Sequence, residues 1–399
     1  MRIREISYYH EYSCLAGDCP QTCCHGWLIP LVEEDNRRFV KEGGLLGLRL
    51  FLARSGSGDG VFNRHCGSCS FLNRRGLCSL QVKKGHEFIP EVCRDYPRFY
   101  RNYKSFEERF IDLSCVQGAL LFLRNNDRLF LVETEGSPES DPCCTNEDEA
   151  FLHALSESRR KMTDELLAVD SFDGLSKTLS RILSFAVETE KHYLREGSAQ
   201  YDGGALKENV SFAEGAVRES HPVYRPYDKS TVPEGEQFKA LFPFPLSVFK
   251  RLFEDTALYN GFLFYTNPFL YRLFRIYFDV KKKRRKDPDG LGRLYESYTG
   301  RFPAMAGKYA AYYAFYLYRY YLQSYEDYSF IKNTSLGIVH MNMILMADML
   351  YENRNHSLSE REQAMIISAY DKKACFNDQV KSRMYEIFSE FCIPSGTFG

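Results

Sequence analysis

Residues 308–328 read KYAAYYAFYLYRYYLQSYEDY, and this stretch decides the fold class. Its aromatic and apolar residues recur at three and four, the period of a helix, and occupy more than one face. A helix covered in this way has to be buried almost all round. The neighbouring run SLGIVHMNMILMADML, residues 335–350, is the most apolar long stretch of the chain. It carries His340, Asn342 and Asp348 and falls short of the ~20 apolar residues that a bilayer span needs, so it reads as a second buried helix.

Working outward, LFPFPLSVFKRLFEDTALYNGFLFYTNPFLYRLFRIYFDV, residues 241–280, has a Pro-marked entry and the same helical recurrence. Residues 358–392 predict two further helices. Ser357 is placed to be the N-cap of the first, with Glu360 three residues on to complete a capping box. Helical patterns also run from Ala150 to about Glu196, and then residues 197–235 are rich in Gly, Pro and Ser. That segment predicts a long surface loop or a partly disordered linker. The basic run KKKRRK, residues 281–286, reads either as a nucleic-acid or anionic-substrate patch or as a solvated helix end whose cations complement the dipole.

The first part of the chain reads differently. RSGSGDG, residues 54–60, has the composition of a flexible loop. FYRNYKSFEERFIDL, residues 99–113, is compatible with a small hairpin turning near Lys104–Ser105, and VQGALLFLRNN after Cys115 reads as a short helix. The acidic, turn-rich TEGSPESDPCCTNEDE, residues 134–149, marks a boundary. The expected architecture is mainly α: an irregular, cysteine-rich, metal-binding region over 1–133, the linker 134–149, and a helical domain over 150–399 on which the first region packs.

Composition narrows the function. The 399 residues are 44% hydrophobic and 15% aromatic, enough for a sizeable core, and the formal net charge is −1. No global field therefore draws the chain to nucleic acid or to an anionic membrane, and neither is an expected partner. The opening MRIREISYYHEYSC lacks the apolar core of a signal peptide, so the expected location is cytoplasmic.

Thirteen cysteines in such a chain call for a role other than a disulfide framework. Nine of them fall between residues 14 and 115, which points to metal ligation. Cys14, Cys19, Cys23 and Cys24 form the first group, followed by His25, Gly26 and Trp27. Cys66, Cys69, Cys78 and Cys93 follow, and then Cys115. Only Cys66/Cys69 has the form of a zinc-ribbon knuckle, and the third cysteine of a radical S-adenosylmethionine motif is replaced by Gly26. Four sulfurs close one tetrahedral zinc site or one cubane cluster, so nine imply two centres or some thiols that line a site without ligating. Near Cys93, Arg94 and Arg98 are placed to neutralise an anionic cluster or hold a carboxylate, while Tyr96 and Pro97 stiffen the turn. Arg94 pairing with Asp95 or Glu91 is the structural alternative.

The string CSFLNRRGLCSLQVKKGHEFIPEVCRDYPR, residues 69–98, resembles the signature of the flagellin lysine-N-methylase (FliB) family. CLAGDCPQTCCHGWLI, residues 14–29, is similar to the first cysteine group of that family, including the Gly-Trp. Glu108 with Leu-Ser-Cys at 113–115 resembles its next element. The Cys-Arg-x-Tyr-Pro ending is shared with a broader group of zinc- or iron-chelating proteins, and Trp27 and Cys115 point to the methylase branch. The chain departs from the family at residues 369–379, AYDKKACFNDQ, where a Ser-Arg-Glu-x-Glu-His-type helix is usual, and at Val116–Gln117 in place of Pro-Glu.

The resemblance implies S-adenosylmethionine-dependent methylation of lysine ε-amines on bacterial flagellin. It also implies an iron–sulfur cluster, 4Fe-4S or else zinc, on Cys14, Cys19, Cys23, Cys24, Cys69, Cys78, Cys93 and Cys115. Glu108 and Tyr96 are the candidate catalytic residues, and Arg94, Arg98 and Trp27 the candidate cofactor contacts. For Glu108 a structural ion pair is the other reading. No glycine-rich strand–turn–helix for a nucleotide cofactor is present. Methyl transfer needs a neutral lysine, whose free pKa is ~10.4, and desolvation among aromatic rings lowers it. The Tyr-rich helices between 258 and 328 are candidates for that surface, with plain core packing as the alternative. The rival function is a non-catalytic metal-binding module that engages a protein partner.

Overall fold

The computed structural model describes residues 1–25, 29–56, 60–62, 64–65, 68–143, 148–198, 224–232, 238, 241–244, 246–254, 290–375 and 377–393. Trp27, Cys66, Cys144, the basic run 281–286, and most of the segments 197–235 and 255–289 lie outside those residues. The protein is mainly α.

The N-terminal part is built from short elements: β1 (Arg2–Ile6), β2 (Ile29–Pro30), α1 (Glu33–Val40), α2 (Gly44–Leu52), β3 (Arg54–Ser55), β4 (Val61–Phe62), β5 (Arg64–His65) and β6 (Ser68–Cys69). Then come α3 (Ser79–Lys84), α4 (Glu91–Asp95), β7 (Arg98–Asn102), β8 (Phe106–Ile111), α5 (Val116–Arg124) and β9 (Leu131–Glu135). Two cores organise them. Phe39, Phe62 and Phe71 anchor a small one with Ile29, Leu50 and Leu80. A larger one starts at Ile6 and Tyr8 and continues through the helices that follow.

The hairpin suggested for residues 99–113 is present as β7 and β8, turning at Lys104 with φ of 66°. It belongs to a four-stranded sheet in the order β7-β8-β1-β9, with β1 parallel to β8 and antiparallel to β9. The sequence reading treated this region as irregular; the sheet is the difference. Both faces of β8 are covered. Phe106, Glu108 and Phe110 face the helices, while Glu107 on the other face accepts from the N–H groups of Glu139 (2.9 Å) and Ser140 (3.0 Å).

The remaining helices are α6 (Glu149–Leu167), α7 (Phe172–Ser198), α8 (Leu246–Glu254), α9 (Gly290–Arg301), α10 (Met305–Tyr320), α11 (Ser324–Asp327), α12 (Phe330–Asn355), α13 (Glu360–Ala374) and α14 (Asp378–Cys392). α10 is buried on nearly every side, as its sequence requires: Tyr309, Tyr313 and Leu317 are at most 1% exposed, and so is Ala311 on another face. α12 is the second central helix, with His340, Asn342 and Asp348 fully buried. Asn342 earns its place by accepting from the Phe244 N–H (2.8 Å) and donating to the Leu241 carbonyl (2.9 Å). The start of α13 is shifted from the sequence expectation. Ser359, not Ser357, is the N-cap, and Glu362 completes the capping box. Among the described residues no helix is long and apolar enough to cross a membrane.

Candidate metal centre

Four segments bring their cysteines to one cavity of about 470 Å³. The loop after β1 supplies Cys14, Cys19, Cys23 and Cys24; the end of β6 and the loop from it to α3 supply Cys69 and Cys78; α4 supplies Cys93; and the start of α5 supplies Cys115. Arg94, Tyr96 and Arg98 line the same space. None of the eight is recorded in a disulfide.

Local structure explains how each segment is held. The Cys69 N–H donates to the Cys24 carbonyl at 2.8 Å, which ties the first loop to the second. Cys78 is the N-cap of α3 and Cys115 the N-cap of α5. Backbone N–H groups of the helix's first turn lower the proton affinity of both sulfurs against the larger effect of burial, Leu80 and Gln81 for Cys78 and Gln117 and Gly118 for Cys115. Such donors favour a thiolate. α4 is positioned by Asp35, a buried carboxylate that accepts from the Glu91 N–H at 3.1 Å and is paired with Arg38. The turn before Cys115 is fixed by Asp112, which accepts from the Ser114 N–H at 2.7 Å and pairs with Arg319 of α10 at 2.6 Å.

The electrostatics of the cavity are set by burial and by thiol–thiol proximity. Burial pushes the Cys69 thiol up to about 11 and raises Cys19, Cys78, Cys93 and Cys115 as well. The hydrogen bond from Cys23 lowers Cys24 and raises Cys23, so the two share one proton. One cation enters from the far end of the chain. Lys372 on α13 donates to the Thr22 carbonyl at 3.2 Å and feels the charge of Cys23, Cys24, Cys115 and Cys19; burial lowers its proton affinity. α13 is docked on the cysteine loops at two further points, Gln21 Nε2 to the Met365 carbonyl (3.2 Å) and Ser368 Oγ to the Ser114 carbonyl (2.8 Å).

Tyr96 and Tyr12 are the phenols of the site. Tyr96 shares a hydrogen bond with Ser114 Oγ at 3.1 Å, and burial raises its proton affinity. Tyr12 meets Cys115 Sγ at 3.7 Å, with the Arg98 guanidinium 5.4 Å from its ring centre. Arg94 donates to the Glu87 carbonyl at 3.1 Å.

The chemistry of this donor set fits a thiolate-ligated metal group. Soft sulfurs, N–H donors aimed at them and a buried cation are what an anionic iron–sulfur or zinc–thiolate centre requires. Among the described residues no three His, Cys, Asp or Glu side chains converge closely enough to hold a single ion.

Comparisons with known proteins give a distant relationship. The chain is 23% identical over 139 residues to the flagellar biosynthetic protein FliU of Salmonella muenchen, covering 33% of this chain and 82% of that protein. It is 23% identical over 139 residues to the lysine-N-methylases of Salmonella choleraesuis and Salmonella typhimurium. The match spans about a third of the length of those two enzymes, 35% in each case, and 33% of this chain. No family model matches the chain, and no solved structure matches it.

Glu108 stands apart from the cavity. It lies on β8, 1% exposed, with both carboxylate oxygens on the guanidinium of Arg159 from α6. The Tyr-rich helix α10 likewise contributes no side chain to the cavity lining and packs as core. The sequence reading did not single out Tyr12, Asp112, Arg319 or Lys372. Lys372 left a signal, a lysine four residues after Ser368 on a buried face of α13.

Proposed function

We propose that this chain is a metal-dependent protein-lysine N-methyltransferase that uses S-adenosylmethionine and acts on flagellin. The single observation that carries the reading is the convergence of eight thiols from four segments, with Tyr96, Arg94 and Arg98, on one cavity. The distant similarity to lysine-N-methylases supports the reaction class.

The chemistry asked of the chain is modest. A lysine nitrogen attacks the methyl carbon in line, the carbon–sulfur bond breaks with its electron pair left on sulfur, and the methylated ammonium sheds a proton. A thiolate-ligated cluster, when bound, supplies iron able to ligate the amino-acid end of the cofactor. Tyr12 and Tyr96 present ring faces that attract a methylsulfonium by cation–π contact. The apolar wall of Ile29, Phe62 and Phe71 desolvates an incoming ammonium and lowers its pKa, so that more of it is neutral. Arg98 is placed to hold a carboxylate, with its guanidinium oriented by the rings of Tyr9 and Tyr12.

The test is methyl transfer from labelled S-adenosylmethionine to flagellin by protein purified without oxygen and loaded with iron and sulfide. Labelling of flagellin lysines, lost in Y96F or R98M with metal content retained, is the expected result. Metal-loaded protein that neither binds the cofactor nor labels flagellin sinks the enzyme and leaves a metal-binding module.

A further inference from the structure

α2 turns large apolar side chains outward. Leu45, Leu48 and Leu52 recur at three and four along it, and Phe51 follows Leu48 by three, so the four share one side of the helix. Leu45 is 88% exposed and Phe51 67%, while Leu46 and Leu50 on the other side pack on the small core. Val40 of α1 and Val82 of α3 are exposed as well, and Lys84 of α3 pairs at 2.8 Å with Glu42 in the α1–α2 turn. Among the described residues, seven of the eleven large apolar side chains that face solvent fall between Val32 and Val82, a concentration that singly scattered surface residues do not produce. The surface is also basic. From Arg37 to Lys84 the chain has ten Lys or Arg and two Asp or Glu, in a protein of net charge −1. Lys41, Arg74, Arg75 and Lys83 are exposed and, among the described residues, make no ion pair.

The opposite charge lies along β9. From Leu129 to Ser158 the chain has eight Asp or Glu and no Lys or Arg. β9 is an edge strand of the four-stranded sheet, paired with β1 on one side, and Val132 on it and Phe130 just before it (52%) are exposed. An open groove of about 490 Å³ runs beside the strand, lined by Phe130, Leu131 and Glu133 and by Glu157 and Asp164 of α6. Its arginines Arg4, Arg159 and Arg160 are already paired, with Glu133, Glu108 and Asp164. Glu135, Asp141 and Glu149 are exposed and, among the described residues, make no ion pair. A sheet edge of this kind invites pairing, and covering it with a helix is one way that proteins protect it.

We infer that this chain self-associates, with α2 of one copy covering the β9 edge of a second. The apolar side of α2 and the apolar residues of β9 leave water together, and the basic and acidic residues around them attract. Docking like on like, α2 against α2 or β9 against β9, sets equal charges face to face and is disfavoured. The contact therefore joins two different surfaces, and in a two-fold dimer it is made twice. The inference is independent of the metal centre and of the proposed reaction.

Sedimentation velocity of the full chain over a range of concentration and salt reads the contact. Wild-type protein should exceed the monomer mass and dissociate as salt rises and screens the flanking charges. L48E/L52E breaks the α2 side and F130K/V132K the β9 side; all four side chains are exposed, and circular dichroism checks that the fold is kept. Each variant alone should be a monomer. An equal mixture of the two should associate again, because one intact α2 and one intact β9 remain between them. A mixture that stays monomeric overturns the inference, since each surface then meets its own kind. So does an F130K/V132K protein that associates as wild type does, because α2 then docks elsewhere. Monomeric wild-type protein overturns it too, and if that monomer pellets with phosphatidylglycerol vesicles through Leu48 and Leu52, the surface belongs to an anionic membrane instead.

Discussion

Lys372 Nζ lies 3.2 Å from the Thr22 carbonyl oxygen, and this contact carries a cation across 350 residues of chain into the loop of Cys19, Cys23 and Cys24. The ammonium serves two ends at once, docking α13 and offsetting negative charge on the thiolates. In K372M the hydrogen bond and the charge are both lost, while the alkyl stem still packs. Outer partners of metal ligands typically set affinity by about 10-fold or more, and a loss of that order is expected. Competition with a chelator measures it, and K372R should retain more metal than K372M. Equal retention in all three proteins would remove Lys372 from the site.

Glu108 and Arg159 form the second relationship that can be broken cleanly. Both are at most 2% exposed, and Arg159 Nη1 also donates to the Tyr318 carbonyl at 2.8 Å, so the pair joins β8, α6 and α10. Removing one member of a buried pair strands the other and costs about 3–5 kcal/mol. E108A should therefore lower stability by that amount in urea denaturation, and E108A/R159M should recover part of it. A variant E108Q that melts like wild type yet fails in methyl transfer would instead assign Glu108 to the chemistry.

How much of this was legible depended on the range of the interactions. α10 and α12 could be read because their apolar recurrence is local. β1 could not. RIREI is mostly charged, and it becomes a strand by pairing with β8, over a hundred residues away, beneath helices that cover it. The capping box was misplaced for a simpler reason. SLSERE contains two overlapping candidates, Ser357 with Glu360 and Ser359 with Glu362, and the choice falls to where α12 ends, at His356 in a left-handed conformation with φ of 57°. Eight of the cysteines could be grouped because thiols in tight turns advertise themselves. Lys372 could not, since a lysine on a helix looks solvated until the loop it reaches is in place.

Gly337 tests the packing of the two central helices. A Cβ there would stand 2.5 Å from Tyr316 Cδ1 and 2.7 Å from Tyr313 Cδ2, both on buried rings that have little room to swing away. The glycine is what lets α12 approach α10. G337A should cost about 1–3 kcal/mol by overpacking and lower the melting temperature accordingly. An unchanged melting temperature would mean that the helices cross elsewhere.

Asp348 predicts how stability responds to pH. It is fully buried on α12, accepting from Gln363 Nε2 at 2.8 Å and from the Tyr309 hydroxyl at 2.9 Å, while its Oδ1 is buried with no hydrogen-bond partner. Burial pushes its carboxyl up to about 7, outweighing the two donors and Lys308, which pull it down. In the unfolded chain it titrates near ~3.9. Between those values the folded protein holds a proton that the unfolded chain has released, so unfolding sheds a proton and stability falls as pH rises. The contribution of Asp348 is therefore complete below ~3.9 and is lost as pH climbs through about 7. D348N does not titrate and keeps an acceptor for the same two donors. Its stability relative to wild type should rise steadily from roughly pH 4 to pH 7 and then level off. Asp371 and Glu190, raised to about 7, and His340, lowered to about 3, titrate in both proteins and cancel in the difference. Urea denaturation of the two proteins across that range gives the answer. A difference that does not change with pH would mean that Asp348 is ionised in the folded protein throughout.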